Sequence, residues 1–196
     1  MTLATISPAE TNSRSTPLVE KGRARSIIVV SADAAPDEQQ AAKELQEYLQ
    51  KISGVQLEIR AVEPAALAAT AAQIKAQNFV PILLGQAASL DELIGRIRTR
   101  GTDPASFILQ AGAGRIQVTG LSPEATLFGV YELLEQLGVR WFMPGELGTV
   151  IPQAKTVSLV QQETIQVPSF QARWFVGGNR VYAEWNRHVR MGGPYF

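Results

Sequence analysis

Apolar and polar positions along this chain alternate with two periods. Between Leu121 and Pro152, Leu127, Val130, Tyr131, Leu134 and Leu137 recur at intervals of three and four, which predicts a helix buried on one face. Ser122 stands where an N-cap belongs, Pro123 suits the first helical position, and Gly138 supplies the left-handed residue that ends a helix. Val139-Arg140-Trp141-Phe142 then reads as a short strand and Met143-Pro144-Gly145 as a turn.

The same reading extends upstream. Ser26 to Ser31 is a continuous apolar run with β-branched residues, predicting a strand buried on both faces. Pro36 to Ile52 predicts a helix with Ala41, Leu45, Tyr48, Leu49 and Ile52 inward and Lys43, Glu44, Glu47 and Lys51 outward, closed by Gly54. Val55 to Ile59 alternates like a half-buried strand, and Glu63 to Gln77 is helical by its alanines. Val80 to Gly85 predicts a second buried strand, and Ser89 the cap of a helix to Arg98. Phe107–Gln110 and Arg115–Thr119 form a predicted hairpin across Ala111-Gly112-Ala113-Gly114, and Thr156–Val160 a last strand.

These elements predict an α/β (α+β) fold, a mixed sheet packed with helices. Residues 1–24, rich in Ser, Thr, Pro and Glu, read as a disordered arm. Residues 25–162 make the α/β domain, and residues 163–196 a polar linker followed by the start of something new.

Composition narrows the function. With 18 Lys+Arg against 18 Asp+Glu the net charge is zero, which argues against a nucleic-acid partner. No cysteine is present, so disulfides and thiolate catalysis are excluded. No segment reaches membrane-spanning length, so no membrane partner is expected. The first residues lack the apolar core of a signal peptide, which fits a cytoplasmic chain as written.

The candidate chemistry is sparse. Gly112-Ala113-Gly114 lacks the third glycine of a phosphate loop and precedes a strand, so it reads as a hairpin turn. Gly85 sits between a buried strand and a helix, where a ligand could lie at a helix N-terminus, but no cofactor fingerprint accompanies it. His188 is the single histidine, and without cysteine or a second histidine no metal site is expected; it reads as a surface residue, or as a substrate contact. Trp174, Phe175 and Trp185 either stack on sugar faces or fill a core, core being the plainer reading. Trp141 and Phe142 read as buried, with Arg140 covering an edge. No cofactor is expected.

The run LSPEATLFGVYELLEQLGVRWFMPGELGTVIP resembles the end of the N-terminal domain of glycoside hydrolases of the alpha-glucuronidase (family 67) type. More distantly it is similar to the N-terminal domain of beta-N-acetylhexosaminidases (family 20). The resemblance covers roughly residues 26–173. It implies a hexosaminidase-like accessory domain in front of a catalytic (β/α)8 barrel, in relatives that are often secreted. Pro168-Ser169-Phe170-Gln171-Ala172-Arg173 resembles the segment that opens the first barrel strand, whose arginine holds sugar hydroxyls. That makes Arg173 the one substrate-binding candidate, its planar fork suiting adjacent oxygens; the other reading is a solvent-exposed arginine.

Glycoside hydrolysis needs two carboxyl groups, and after Arg173 only Glu184 is acidic. No catalytic residue is therefore assigned. The expectation is a non-catalytic accessory domain whose partner is a barrel in cis or trans. The alternative is a stand-alone module that binds oligosaccharide or protein. A doubly wound small-molecule enzyme is the weaker third reading.

Overall fold

A computed structural model describes residues 15–88, 91–112, 114–173 and 182–192. In chain order the elements are β1 (Ser15–Glu20), β2 (Arg23–Ala24), β3 (Ser26–Ser31), α1 (Pro36–Ser53), β4 (Ile59–Val62), α2 (Leu67–Ala76), β5 (Val80–Leu84) and α3 (Asp91–Arg98). They continue as β6 (Phe107–Gly112), β7 (Arg115–Gly120), α4 (Pro123–Gln136), β8 (Arg140–Trp141), β9 (Thr149–Val150), β10 (Val157–Val160), β11 (Gln162–Gln166) and α5 (Ala183–His188). Among the described residues no helix is long and apolar enough to cross a membrane.

The expected mixed sheet is present, six strands in the order β11-β6-β7-β5-β3-β4. β4, β3, β5 and β7 run parallel, while β6 is antiparallel to both β7 and β11. The alternation along β3 decides the layers. Ile28 and Val30 point into a large core with α1 and α4, while Ile27 and Val29 point into a smaller one with Ile74 of α2. Leu93 and Ile97 of α3 pack on Ile108 and Ile165. Helices therefore cover both faces, which is why the interior of β3 and all of β5 are apolar.

The predicted helix ends hold. Ser122 accepts a hydrogen bond from the Ala125 amide at 3.1 Å, and Gly54 and Gly138 take positive φ of 79° and 98°. Lys51 and Glu47 pair at 2.6 Å, as their spacing predicts. On α3, a Cβ at Gly95 would meet nothing within 4 Å. Gly95→Ala is accordingly expected to raise stability by about 0.5–1 kcal/mol, because alanine restricts the unfolded chain without crowding the native one. A rise in the urea midpoint at unchanged slope checks this.

Four expectations change. Part of the presumed arm is ordered: β1 pairs antiparallel with β10, Thr16 opposite Leu159, and buries Leu18 and Val19 in the main core. The rest of the arm, residues 1–14, lies outside the described residues, as do Ser89, Ala113, Trp174 and Phe175. Residues 162–166 are no linker but the edge strand β11. Their polar side chains are paired: Glu163 with Arg96 and Gln110, Gln162 and Thr164 with Gln136, and Gln166 with Glu132. A polar strand suits an edge, where one side of the ladder faces water. The strand placed at Val55–Ile59 is instead β4, because Ile59 to Val62 take register with Ile28 to Ser31, and Gln46 holds the Leu57 carbonyl at 2.6 Å. The helix placed at Glu63 starts as a short 3-10 turn over Pro64–Ala66 before α2.

The end of the sheet where β3 and β5 diverge is the usual ligand crevice of such folds. Here Glu38 fills it. Its buried carboxylate accepts the Ala35 amide at 3.2 Å and the Gln86 amide at 3.1 Å, against Gly85 at φ +56°. Any Cβ at Gly85 would overlap that carboxylate. The glycine therefore makes room for the chain's own acid.

Candidate functional site

A buried polar cluster is built from four elements. α1 presents Glu44 and Tyr48 one turn apart, α4 presents Tyr131, β8 presents Trp141, and α5 presents His188. All five are buried. The Glu44 carboxylate accepts hydrogen bonds from the Tyr131 hydroxyl at 3.1 Å and from Gln40 at 3.0 Å, and its other oxygen lies 3.2 Å from His188 Nε2. The Trp141 indole N–H donates to the Tyr48 hydroxyl at 2.8 Å. His188 stacks on Trp141 with ring centres 4.5 Å apart and planes at 13°, and meets Tyr131 edge-on at 4.8 Å.

Burial alone would push the Glu44 carboxyl up. The hydrogen bonds and charge of His188, with those of Gln40 and Tyr131, outweigh it and hold the group below its ordinary value of 4.5. Burial raises the Tyr131 hydroxyl far above its usual range, with Glu44 adding to the shift, and burial also raises Tyr48. Both phenols stay neutral, Tyr131 donating to Glu44 and Tyr48 accepting from Trp141. The arrangement is a hydrogen-bonded bolt. It ties α5 to α1 and α4, reinforced by the Trp185 indole N–H donating to the Trp141 carbonyl at 3.1 Å and by Arg190 reaching Glu132 at 3.1 Å and Glu135.

The pH dependence follows from the Glu44 shift. A carboxyl held below its unfolded value contributes stability that is present above that value and lost as pH falls through the folded one. Glu44→Gln is expected to lose about 1–3 kcal/mol near neutrality. The gap to the parent should narrow on acidification below about 4.5, the ordinary value of the group. Urea titrations of both proteins across that range measure it; a gap that widens in acid would refute the assignment.

Three expectations about this region are corrected. His188 is not a surface residue but 4% exposed, because Trp141 and Glu44 cover it. Glu44 was placed on the wet face of its helix yet is buried. Its position three residues from Ala41 and four from Tyr48 puts it on the apolar stripe, a signal present in the sequence. Trp141 is buried as expected, while Phe142 is 69% exposed. Arg140 does cover an edge, donating to the Glu135 and Val139 carbonyls at 2.5 and 2.7 Å.

One cleft borders the bolt and a second lies around Arg173. The first, of about 580 Å³, opens between the β8–β9 corner and α5 and is lined by Tyr48, Lys51, Trp141, Glu146, Glu184 and Trp185 among others. The second, of about 750 Å³, holds Arg173 with Asp103, Glu124, Ser169 and Gln171. Arg173 lies where the chain returns on itself, exchanging main-chain hydrogen bonds with Gly192 at 2.8 and 2.9 Å. Its Nε and Nη1 donate to the Arg190 and Phe170 carbonyls at 3.1 and 2.7 Å. A Cβ on Gly192 would lie 3.7 Å from Arg173 Nη2 and 4.0 Å from Glu124 Oε2, so both head groups converge there. Burial and the nearby Asp37 raise the Glu124 carboxyl, with Arg173 and Arg187 opposing them. Asp103 is tied to its own turn, accepting the Ala105 amide at 2.8 Å. Each cleft thus carries two carboxylates on loops or helix ends, Glu146 and Glu184 in one, Asp103 and Glu124 in the other. No group of three or more His, Asp or Glu side chains suited to a metal occurs among the described residues.

No protein-family model matches this sequence, and no curated protein is similar to it in sequence. The fold, however, is similar to part of a family GH115 4-O-methyl-alpha-glucuronidase with specificity for decorated arabinogalactans. The TM-score is 0.53 at 19% identity, over 81% of this chain and 19% of that one. The likeness is one of fold alone, and the chain spans about a fifth of the length of the enzyme it matches.

Proposed function

We propose that this chain is the non-catalytic accessory domain of a carbohydrate-active glycoside hydrolase, of the alpha-glucuronidase or beta-N-acetylhexosaminidase-like kind. It braces a catalytic (β/α)8 barrel supplied in cis or in trans. The observation that carries this reading is the fold held in common with a fraction of a much longer alpha-glucuronidase. The bolt around Glu44 and His188 supports it, because it fixes α5, which follows the segment that resembles the opening of a barrel, against the α/β domain.

A brace also needs a face for its partner. At the β8–β9 corner Phe142, Met143, Leu147 and Val150 are 69%, 55%, 99% and 50% exposed. Four large apolar side chains gathered at one corner are the mark of a protein-contact surface. The barrel is assigned to this corner. Catalysis is left to the barrel, since the resemblance places both reacting carboxyls on later barrel strands. Arg173 is retained as the sugar-contacting residue at the junction, its fork steered by the carbonyls that hold two of its donors.

A photo-crosslinking residue at position 147, introduced in the native host, tests the reading. Crosslinks to peptides of a glycoside hydrolase barrel, in the same polypeptide or another, are expected. Crosslinks only to second copies of this chain would contradict it.

A further inference from the structure

We propose that the cleft between the β8–β9 corner and α5 binds a short, neutral oligosaccharide. A sugar ring would be seated against Trp185 and Tyr182, with Lys51, Glu146 and Glu184 at the rim. The inference concerns the chain's own cleft and does not rest on the presence of a barrel.

A pyranose offers an apolar C–H face bounded by hydroxyls that both donate and accept. A site for it needs flat apolar surface with mixed polar groups around it. The cleft has both. Its volume of about 580 Å³ falls within the range of small-ligand sites. Tyr182, 42% exposed, lines it together with Trp185. The Trp185 ring is already oriented, because its indole N–H is held by the Trp141 carbonyl at 3.1 Å. A platform fixed before binding loses less rotamer freedom when the ligand arrives.

The rim supplies the rest. The Lys51 ammonium pairs with Glu47 at 2.6 Å and lies 5.0 Å over the Tyr48 ring, and it carries three donors, more than that pairing needs. Glu146 and Glu184 offer carboxylate acceptors. Two acids against one base disfavour a polyanion and favour an uncharged, hydroxyl-rich ligand. Stacking surface, preset orientation and mixed donors and acceptors coincide at this one place in the described chain.

Calorimetry and tryptophan fluorescence on the full chain test this, with neutral xylo-, galacto- and chito-oligosaccharides and an acidic glucuronate-bearing set as probes. Saturable binding of a neutral probe with a change in tryptophan emission is expected. Tyr182→Ala removes an exposed side chain and should weaken that binding about three- to tenfold. Lys51→Met should weaken it while leaving the urea midpoint near the parent's. Flat titrations with every neutral probe, tighter binding of the acidic set, or binding indifferent to both variants would overturn the proposal. A flat titration leaves the crosslink from position 147 unaffected, so the two readings fail separately.

Discussion

Tyr131→Ala is expected to lower stability by about 3–5 kcal/mol. Tyr131 is fully buried in the middle of α4 and is among the largest side chains with no solvent exposure. Removing its ring opens a cavity between α1, α4 and α5. It also ends the edge-on contacts with Trp141 at 5.6 Å and His188 at 4.8 Å. The hydroxyl is a smaller part of the effect. Tyr131→Phe keeps the ring and takes one donor from Glu44, which still receives Gln40 and faces His188, so about 1 kcal/mol is expected. Urea unfolding of the two variants separates packing from hydrogen bonding. Equal losses would mean that the hydroxyl, and not the ring, carries the bolt.

Gly120→Ala is the second large effect, and it is one of space. Gly120 ends β7 directly beneath the first turn of α4. An added Cβ would overlap the Ala125 side chain and come within 2.7 Å of the Ala125 carbonyl carbon and 2.9 Å of the Thr126 amide nitrogen. Two of those three atoms are backbone, and the helix is pinned there by the Ser122 cap. Relief requires α4 to move off the sheet, so a loss of about 1–3 kcal/mol or more is expected. Adding Ala125→Gly should recover part of the loss, leaving the double variant more stable than the sum of the single changes predicts. A strictly additive pair would show that the crowding is absent.

These two residues show what could be read from the sequence. The stripe through Leu127, Val130, Tyr131 and Leu134 and the stop at Gly138 are local signals, and the helix and its buried face follow from them. The apolar run Ile27–Val30 likewise specifies a strand with no wet side, hence helices on both faces. What escaped is non-local. β1 is recognisable only through β10, whose paired residues lie more than a hundred positions away in the chain, and β11 only through polar partners on α3, α4 and β6. Glu44 read as a wet acid because charge outweighed periodicity, although it sits on the apolar stripe; its partner His188 comes 144 residues later. Of the site residues, Arg173 was singled out before its surroundings were known. The structure adds Glu124 beside it and the carbonyls that hold its fork.

The crevice where β3 and β5 part gives the same lesson in reverse. Gly85 marked a place where a ligand could approach, and the approach is real, but the occupant is Glu38. Burial raises that carboxyl above its ordinary value even though two main-chain amides stabilise its charged form. The weaker reading of the chain as a doubly wound small-molecule enzyme loses its usual site to this side chain.

The measurement that bears most directly on the account is turnover by the purified chain on aryl-glucuronides and aryl-N-acetylglucosaminides. Release no faster than buffer is expected, because the proposed function leaves the reacting carboxyls to the barrel. Hydrolysis that co-elutes with the folded chain and disappears in Glu124→Gln or Glu146→Gln would contradict it.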